Sequence, residues 1–315
     1  MIQKEEFYYD SRDGVHKIHA VKWVPETKDI SCVVQIVHGM AEHIERYEDF
    51  ANYLAQRGIL VVGNDHLGHG KSVNNKEEYG YFCKKGAVTT VVRDIHRLKK
   101  IIQEENPGKR YFILGHSMGS LLLRNYLFKY GKGIDGAILS GTASHPPLKT
   151  ISGKALLHMI ALFKGWNYHS KLADALVNGD ANHRIENKRT AFDWLSMDEE
   201  IVDNYINDET CGFLFTVNGF LTLVQSVDNL NKKKYLANMP KDLPVLFLSG
   251  DQDPVGGYTT GVKRAYRQFE EAGMKCLRLK FYEGGRHEIL NERNKKEVYE
   301  DIYTFLKTYF EKKAE

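Results

Sequence analysis

Residues 112–123 read FILGHSMGSLLL, a serine set between two glycines at the point where an apolar strand-like run gives way to a helical one. A serine on so tight a strand-to-helix turn is held in a strained backbone conformation, and side chains two residues before or after it would collide with the turn. Gly115 and Gly119 remove that collision, and His116 and Met118 complete the pattern GxSxG. The Ser117 hydroxyl then projects from the carboxyl edge of a sheet, and the helix behind it aims its free N–H groups and positive dipole end at the same place. A plain βα turn whose serine caps the helix is the simpler account. The apolar run before the motif and the apolar helix after it favour an exposed nucleophile.

The rest of the chain fits a sheet around that turn. Residues 7–24 alternate about Asp13-Gly14 as a β-hairpin. Continuous apolar runs follow at 32–39 and 59–65, as strands buried on both faces should be, with Tyr47, Phe50 and Leu54 at helical spacing between them. Val88, Val91, Val92, Ile95, Leu98 and Ile102 share one helical face that ends at Asn106-Pro107. Strand and helix in turn predict an α/β fold with a mostly parallel, doubly wound sheet. From about Ala143 to Asp228 the rhythm is lost, and this stretch is expected to be an inserted helical cap at 144–228, with the core made of 1–143 and 229–315. The alternation then resumes with VLFLSGDQDP, a helix expected at 258–272, LRLKFYEGGRH and a last amphipathic helix.

Charge excludes one class of partner. Lys and Arg number 44 against 41 Asp and Glu, a net +3 with no basic stripe, so no nucleic acid is expected. Cys32, Cys83, Cys211 and Cys276 lack CxxC spacing, which suits reduced thiols rather than a disulfide framework or zinc knuckle. The polar N-terminal segment and the lack of any run near the ~18 apolar residues of a spanning helix predict a cytoplasmic chain.

A serine hydroxyl is a poor nucleophile until an imidazole takes its proton and a carboxylate holds that imidazole in the right tautomer. In the chain order Ser, Asp, His, the acid belongs just past a later strand. VLFLSGDQDPVGG offers Asp251 and Asp253, and Asp253 is preferred because it lies deeper in the loop with Pro254 stiffening it, Asp251 being assigned to the turn. His287, after Gly284-Gly285 at the end of the last strand, is the expected base. Two N–H donors must face the developing oxyanion. Met118 supplies one, and Met40, after the His38-Gly39 turn, the other, with His38 bracing the loop.

His38, His43, His66 and His69 invite a metal, but no HExxH and no carboxylate at ligand spacing accompany them. LGHGKS likewise lacks the GxxxxGKS of a phosphate-binding loop. Neither a metal nor a cofactor is expected.

The set HGMAEHIERYEDFANYLAQRG, NDHLGHGKS, GHSMGS, SGDQDP and YEGGRHEILNE resembles the monoacylglycerol lipase and lysophospholipase branch of the α/β-hydrolases, often grouped with serine aminopeptidase-like hydrolases. The resemblance covers most of the chain outside the cap and implies hydrolysis of single-acyl-chain esters. Ser117, Asp253 and His287 match its triad, and Met40 and Met118 its oxyanion donors. Met40 departs from the smaller residue common there, and its side chain is expected to narrow the acyl site.

Cap residues Leu156, Leu157, Ile160, Phe163, Phe213, Phe215, Phe220 and Leu223 admit two readings, an acyl tunnel or lipid contact and plain packing on the core. Phe213, Phe220 and Leu223 are the candidates for substrate contact, with a transient membrane-surface contact through the cap. An aminopeptidase would instead want a cap carboxylate for a free amine, and SMDEEIVD supplies Asp198, Glu199 and Glu200. Small or aryl esters are a further alternative. A ligand-binding protein without turnover is disfavoured by three intact triad positions, and dehalogenase or epoxide-hydrolase chemistry by a serine where those enzymes place aspartate. The oligomeric state is not legible in the sequence.

Overall fold

A computed structural model describes residues 2–27, 29–177, 179 and 181–311. The hairpin forms as β1 (Gln3–Asp10) and β2 (Lys17–Val24), and β3 (Cys32–Val37), α1 (Glu48–Ala55), β4 (Leu60–Asn64), α2 (Ala87–Glu105) and β5 (Arg110–His116) follow. Next come α3 (Met118–Tyr130), β6 (Gly136–Ser140), α4 (Pro147–Lys164), α5 (Lys171–Val177), α6 (Glu199–Asn207), α7 (Val217–Leu230) and α8 (Lys233–Leu236). The chain closes with β7 (Val245–Gly250), α9 (Thr260–Glu271), β8 (Leu277–Tyr282) and α10 (Lys295–Phe310).

The eight strands form one sheet in the order β1-β2-β4-β3-β5-β6-β7-β8. β1 and β2 pair antiparallel, as do β2 and β4, and every other pairing is parallel. The continuous apolar runs are explained by two cores, because successive side chains of a strand point to opposite faces. Val33, Val37, Tyr111, Ile113, Val245 and Phe247 join the core under α2, α3, α7 and α9, while Val34, Ile36, Phe112, Leu114, Leu246 and Leu248 join the one under α1 and α10.

Strand order turns back at β3, with β4 on one side of it and β5 on the other. Ligands of open α/β sheets bind in the crevice beyond the carboxyl ends at such a point. Register carries the chemistry there: Val37 lies opposite Gly115 and His116 opposite Ser140. The loop from His38 and the turn at Ser117 therefore leave the sheet side by side.

One helix starts later than its sequence pattern suggests. Tyr258 and Thr259 have φ of +51° and +77°, a left-handed turn that no helix can include, so α9 begins at Thr260. The stretch FLFTVNGFLTLV is helical only from Val217, because Thr216 is the N-cap of α7 and accepts the Gly219 N–H at 3.1 Å.

Candidate active site

Ser117 sits at φ +50° and ψ −119°, a conformation that non-glycine residues adopt only under constraint. The constraint is close packing. A Cβ on Gly115 would lie 2.5 Å from the Gly119 carbonyl oxygen, and one on Gly119 would collide with the carbonyl of Val37. Ser117 also donates its N–H to the Ser140 carbonyl at 2.9 Å, which pins the turn to β6.

The other two triad candidates come to it from 136 and 170 residues away, as the strand ends dictate. His287 Nε2 lies 2.8 Å from Ser117 Oγ, and its Nδ1 lies 3.0 Å from Asp253 Oδ1. Asp253 is fully buried and accepts a further hydrogen bond from the Val255 N–H at 2.8 Å. Burial disfavours the His287 imidazolium, but the Asp253 carboxylate together with the Glu288 and Glu42 charges outweighs it and raises His287 above its ordinary value. His116, whose ring is 4.8 Å from that of His287, is pushed down to about 3 by burial and by its neighbour, so it stays neutral. Asp251 does more than form a turn: its Oδ1 accepts the Gly284 N–H at 3.0 Å and so steadies the loop that carries His287.

His38 braces its loop. Its Nδ1 donates to the Gly39 carbonyl at 2.8 Å and its Nε2 accepts the His66 N–H at 3.0 Å, both within the buried interior. Gly39, Met40, Ser117, Met118 and His287 line a cavity of about 960 Å³. Leu156, Leu157, Leu176, Phe213, Leu223 and Val224 line its apolar wall.

Phe213 and Leu223 thus face the cavity, but Phe220 does not. It is fully buried, with its ring 5.8 Å from that of Phe215. The first turn of α7 is docked on the loop at 80–83, where Asn218 bonds both Phe82 N–H and the Cys83 carbonyl and Thr216 bonds the Gly80 carbonyl. Phe220 belongs to that junction, and the cavity begins a turn later.

Trp194 was not foreseen. Its ring lies 5.2 Å from that of His287, and the segment around it clasps the histidine loop. Arg286 Nη1 donates to the carbonyls of Asp193 at 2.6 Å and Ser196 at 2.9 Å, Glu288 N–H to that of Leu195 at 2.7 Å, and Glu292 accepts the Met197 N–H at 3.0 Å. The Ala41 carbonyl accepts from Gly212 N–H at 2.9 Å and Tyr205 hydroxyl at 3.0 Å, tying the loop after β3 to the same segment. No local sequence signal announces pairings across such separations. Glu42, Arg46 and Glu288 also meet beside the site, although HGMAEHIER and RHE carried them in plain view.

Among the described residues, His43, Asp208 and Cys211 place ligand atoms within 4.8 Å of one another, a group that a metal could join. His43 Nε2 is bonded to Asp208 Oδ2 at 2.8 Å, and Asp208 Oδ1 accepts the Thr210 N–H at 2.8 Å. Asp198, Glu199 and Glu200 are not at the cavity: Asp198 caps α6 by accepting the Glu200 N–H at 3.1 Å, and the two glutamates are exposed.

Comparison with known proteins agrees with this geometry. The family model described as "Serine aminopeptidase, S33" matches residues 28–294. A monoacylglycerol lipase of Mycolicibacterium smegmatis is 27% identical over 96% of this chain and 97% of its own. The monoglyceride lipase of Homo sapiens is 28% identical over 86% of this chain and 79% of its own. Among solved structures, a highly thermostable carboxyl esterase from Bacillus coagulans in complex with glycerol has a TM-score of 0.89 at 32% identity, over 98% of this chain and 100% of that one. A soluble variant of the Saccharomyces cerevisiae monoglyceride lipase shares the fold, with a TM-score of 0.76 at 20% identity over 98% and 96%. The chain belongs to the serine aminopeptidase S33 family of α/β-hydrolases, and monoacylglycerol lipases are among the relatives that it matches over most of their length.

Proposed function

We propose that this protein is a serine esterase that cleaves esters of a single acyl chain, with monoacylglycerols first among them. The observation that carries the reading is the hydrogen-bonded series Ser117, His287, Asp253 opening onto a largely apolar cavity of about 960 Å³. Ser117 attacks the acyl carbonyl while His287 Nε2 takes its proton, and Asp253 steadies the imidazolium. The N–H groups of Met40 and Met118 receive the negative charge that develops on the carbonyl oxygen. The alcohol leaves with the proton from His287, and water repeats the cycle on the acyl-enzyme.

An apolar wall suits an acyl chain, and the lipase relatives support the same choice. The peptidase named in the family description would need an acid for the free amine, and the cap carboxylates expected for it are engaged in capping or lie outside the cavity. On α4, Leu148, Ile151, Met159, Leu162 and Phe163 are all more than half exposed, a patch that a lipid surface would cover while substrate enters. Among the described residues no helix is long and apolar enough to cross a membrane. The four thiols are unpaired, as in a reducing compartment such as the cytoplasm.

The test pairs a fluorophosphonate probe with p-nitrophenyl esters from acetate to palmitate and a monoacylglycerol. Ser117→Ala is expected to abolish labelling and lower kcat on the order of 10⁴- to 10⁶-fold in a folded protein. A loss under about tenfold refutes the mechanism.

A further inference from the structure

Two buried carboxylates and a mostly covered guanidinium lie beside the site, and the chemistry above gives none of them a step. Arg46 Nη1 donates to Glu42 Oε2 at 2.8 Å and to Glu288 Oε1 at 2.7 Å, and its Nη2 donates to Glu288 Oε2 at 2.7 Å. Arg46 and Glu288 are 242 residues apart, so one guanidinium joins the loop after β3 to the loop that carries His287. The contact with Glu288 is bidentate, which fixes direction as well as distance.

The far end of the series reaches the oxyanion loop. Glu42 Oε1 accepts the Gly39 N–H at 2.5 Å and the Tyr47 hydroxyl at 2.8 Å. A Cβ on Gly39 would lie 2.6 Å from that carboxylate and 3.2 Å from Ser117 Cβ, so Glu42 holds Gly39 directly against the nucleophile. Burial and the nearby Glu288 push Glu42 up, yet every partner it has is a donor, which is what a carboxylate satisfies. Against its burial, the Arg46 guanidinium holds Glu288 down at about 2. Well-packed apolar residues often replace buried ions without loss of stability, so stability alone does not account for the trio.

Resting on the esterase reading, we infer that Glu42, Arg46 and Glu288 are positioning residues, a tie that fixes the Gly39–Met40 oxyanion loop at its working distance from His287. The Met40 donor and the general base reach one carbonyl carbon from separate loops, and a misplacement of about 1 Å lowers turnover about 10²-fold. The tie also acts electrostatically. His287 is faced by Asp253, neutral His116, Trp194 and Ser117, and the Glu288 and Glu42 charges add to the effect of Asp253 in favouring the imidazolium.

The experiment compares Glu42→Gln, Glu288→Gln, the double variant and Arg46→Lys with the unaltered protein. It measures kcat and KM for p-nitrophenyl butyrate from pH 5 to 9, with thermal melting as the folding check. Each single variant is expected to lower kcat about 10- to 100-fold with KM within about twofold. The double variant should be no worse than the poorer single one, because cutting the tie once already frees the loop. The acid limb of kcat/KM should move to lower pH in the two glutamine variants and stay in place in Arg46→Lys, which keeps the charge but loses the fork. Folded variants with kcat within about threefold of the unaltered protein overturn the inference, as do losses that multiply in the double variant. If a glutamine variant fails to fold, full kcat in Arg46→Lys overturns it alone. Absence of turnover in the unaltered protein strikes instead at the esterase reading.

Discussion

Replacing Asp253 by asparagine separates two jobs of that residue, its charge and its hold on the His287 tautomer. Where the amide turns its NH2 to the imidazole, the ring is held in the wrong tautomer and turnover falls about 10⁴-fold. The surroundings of Asp253 argue against that here. Oδ1 accepts from both His287 Nδ1 at 3.0 Å and the Val255 N–H at 2.8 Å, while Oδ2 faces the Ser249 hydroxyl at 3.4 Å. An asparagine keeps both Oδ1 bonds with its carbonyl and gives its NH2 to Ser249 Oγ, whereas the flipped amide would set an NH2 against the Val255 N–H. Only the charge is lost. Opposite charges about 4 Å apart interact by about 4 kcal/mol at an effective dielectric constant of about 20, so Asp253→Asn should lower kcat about 10³-fold. The sign of the pH effect follows. Asp253 raises His287, and activity needs His287 neutral, so the acid limb of kcat/KM should move to lower pH in the variant. Burst kinetics with p-nitrophenyl butyrate from pH 5 to 9 measure both. A loss of about 10⁴ or more would mean that the tautomer has inverted and the hydrogen-bond argument is wrong.

The α7 helix offers a paired test. Phe220→Ala should destabilise the fold by about 3–5 kcal/mol in urea unfolding and leave the preferred acyl length unchanged. Leu223→Trp should leave unfolding within about 1–3 kcal/mol and shorten the preferred chain, each lost buried methylene lowering kcat/KM about fourfold. A shifted length profile in folded Phe220→Ala would return that ring to the pocket. For the lipid contact, Leu162→Asp at an 81% exposed position should weaken cosedimentation with phosphatidylcholine vesicles while hydrolysis of soluble p-nitrophenyl butyrate is kept. Equal vesicle binding by both proteins removes α4 from the membrane account.

What was legible in the sequence is what local patterning encodes. Strand runs, the GxSxG turn and the three loop positions at strand ends follow from periodicity and from the steric demands of a tight turn. The roles of Asp251 and Phe220 did not, since each depends on a contact far along the chain: Gly284 for the first, the loop at 80–83 and Phe215 for the second. The start of α9 was misplaced for a local reason, because nothing in Tyr258-Thr259 signals a positive φ as an Asn or Gly would. The ions Glu42, Arg46 and Glu288 were visible as letters, but the encounter that gives them meaning spans 242 residues.

The clasp between 193–197 and the histidine loop constrains the segment between β6 and β7. Arg286, Glu288 and Glu292 hold that stretch through backbone atoms, and Ala41 holds Tyr205 and Gly212. Moving that stretch aside would therefore unseat the general base. Helices α4 and α5 carry no such bonds to either catalytic loop among the described residues; α4 is held by α7 instead, where Asp228 pairs with Lys154 at 2.8 Å and accepts from the Thr150 hydroxyl at 3.3 Å. A chimaera that takes residues 147–177 from a relative is therefore expected to change the preferred acyl length and leave the histidine loop in place, which a chain-length profile measures. A transplant carried on through residue 212 would also have to bring the partner's histidine loop with it, or the new pocket would open onto a displaced imidazole.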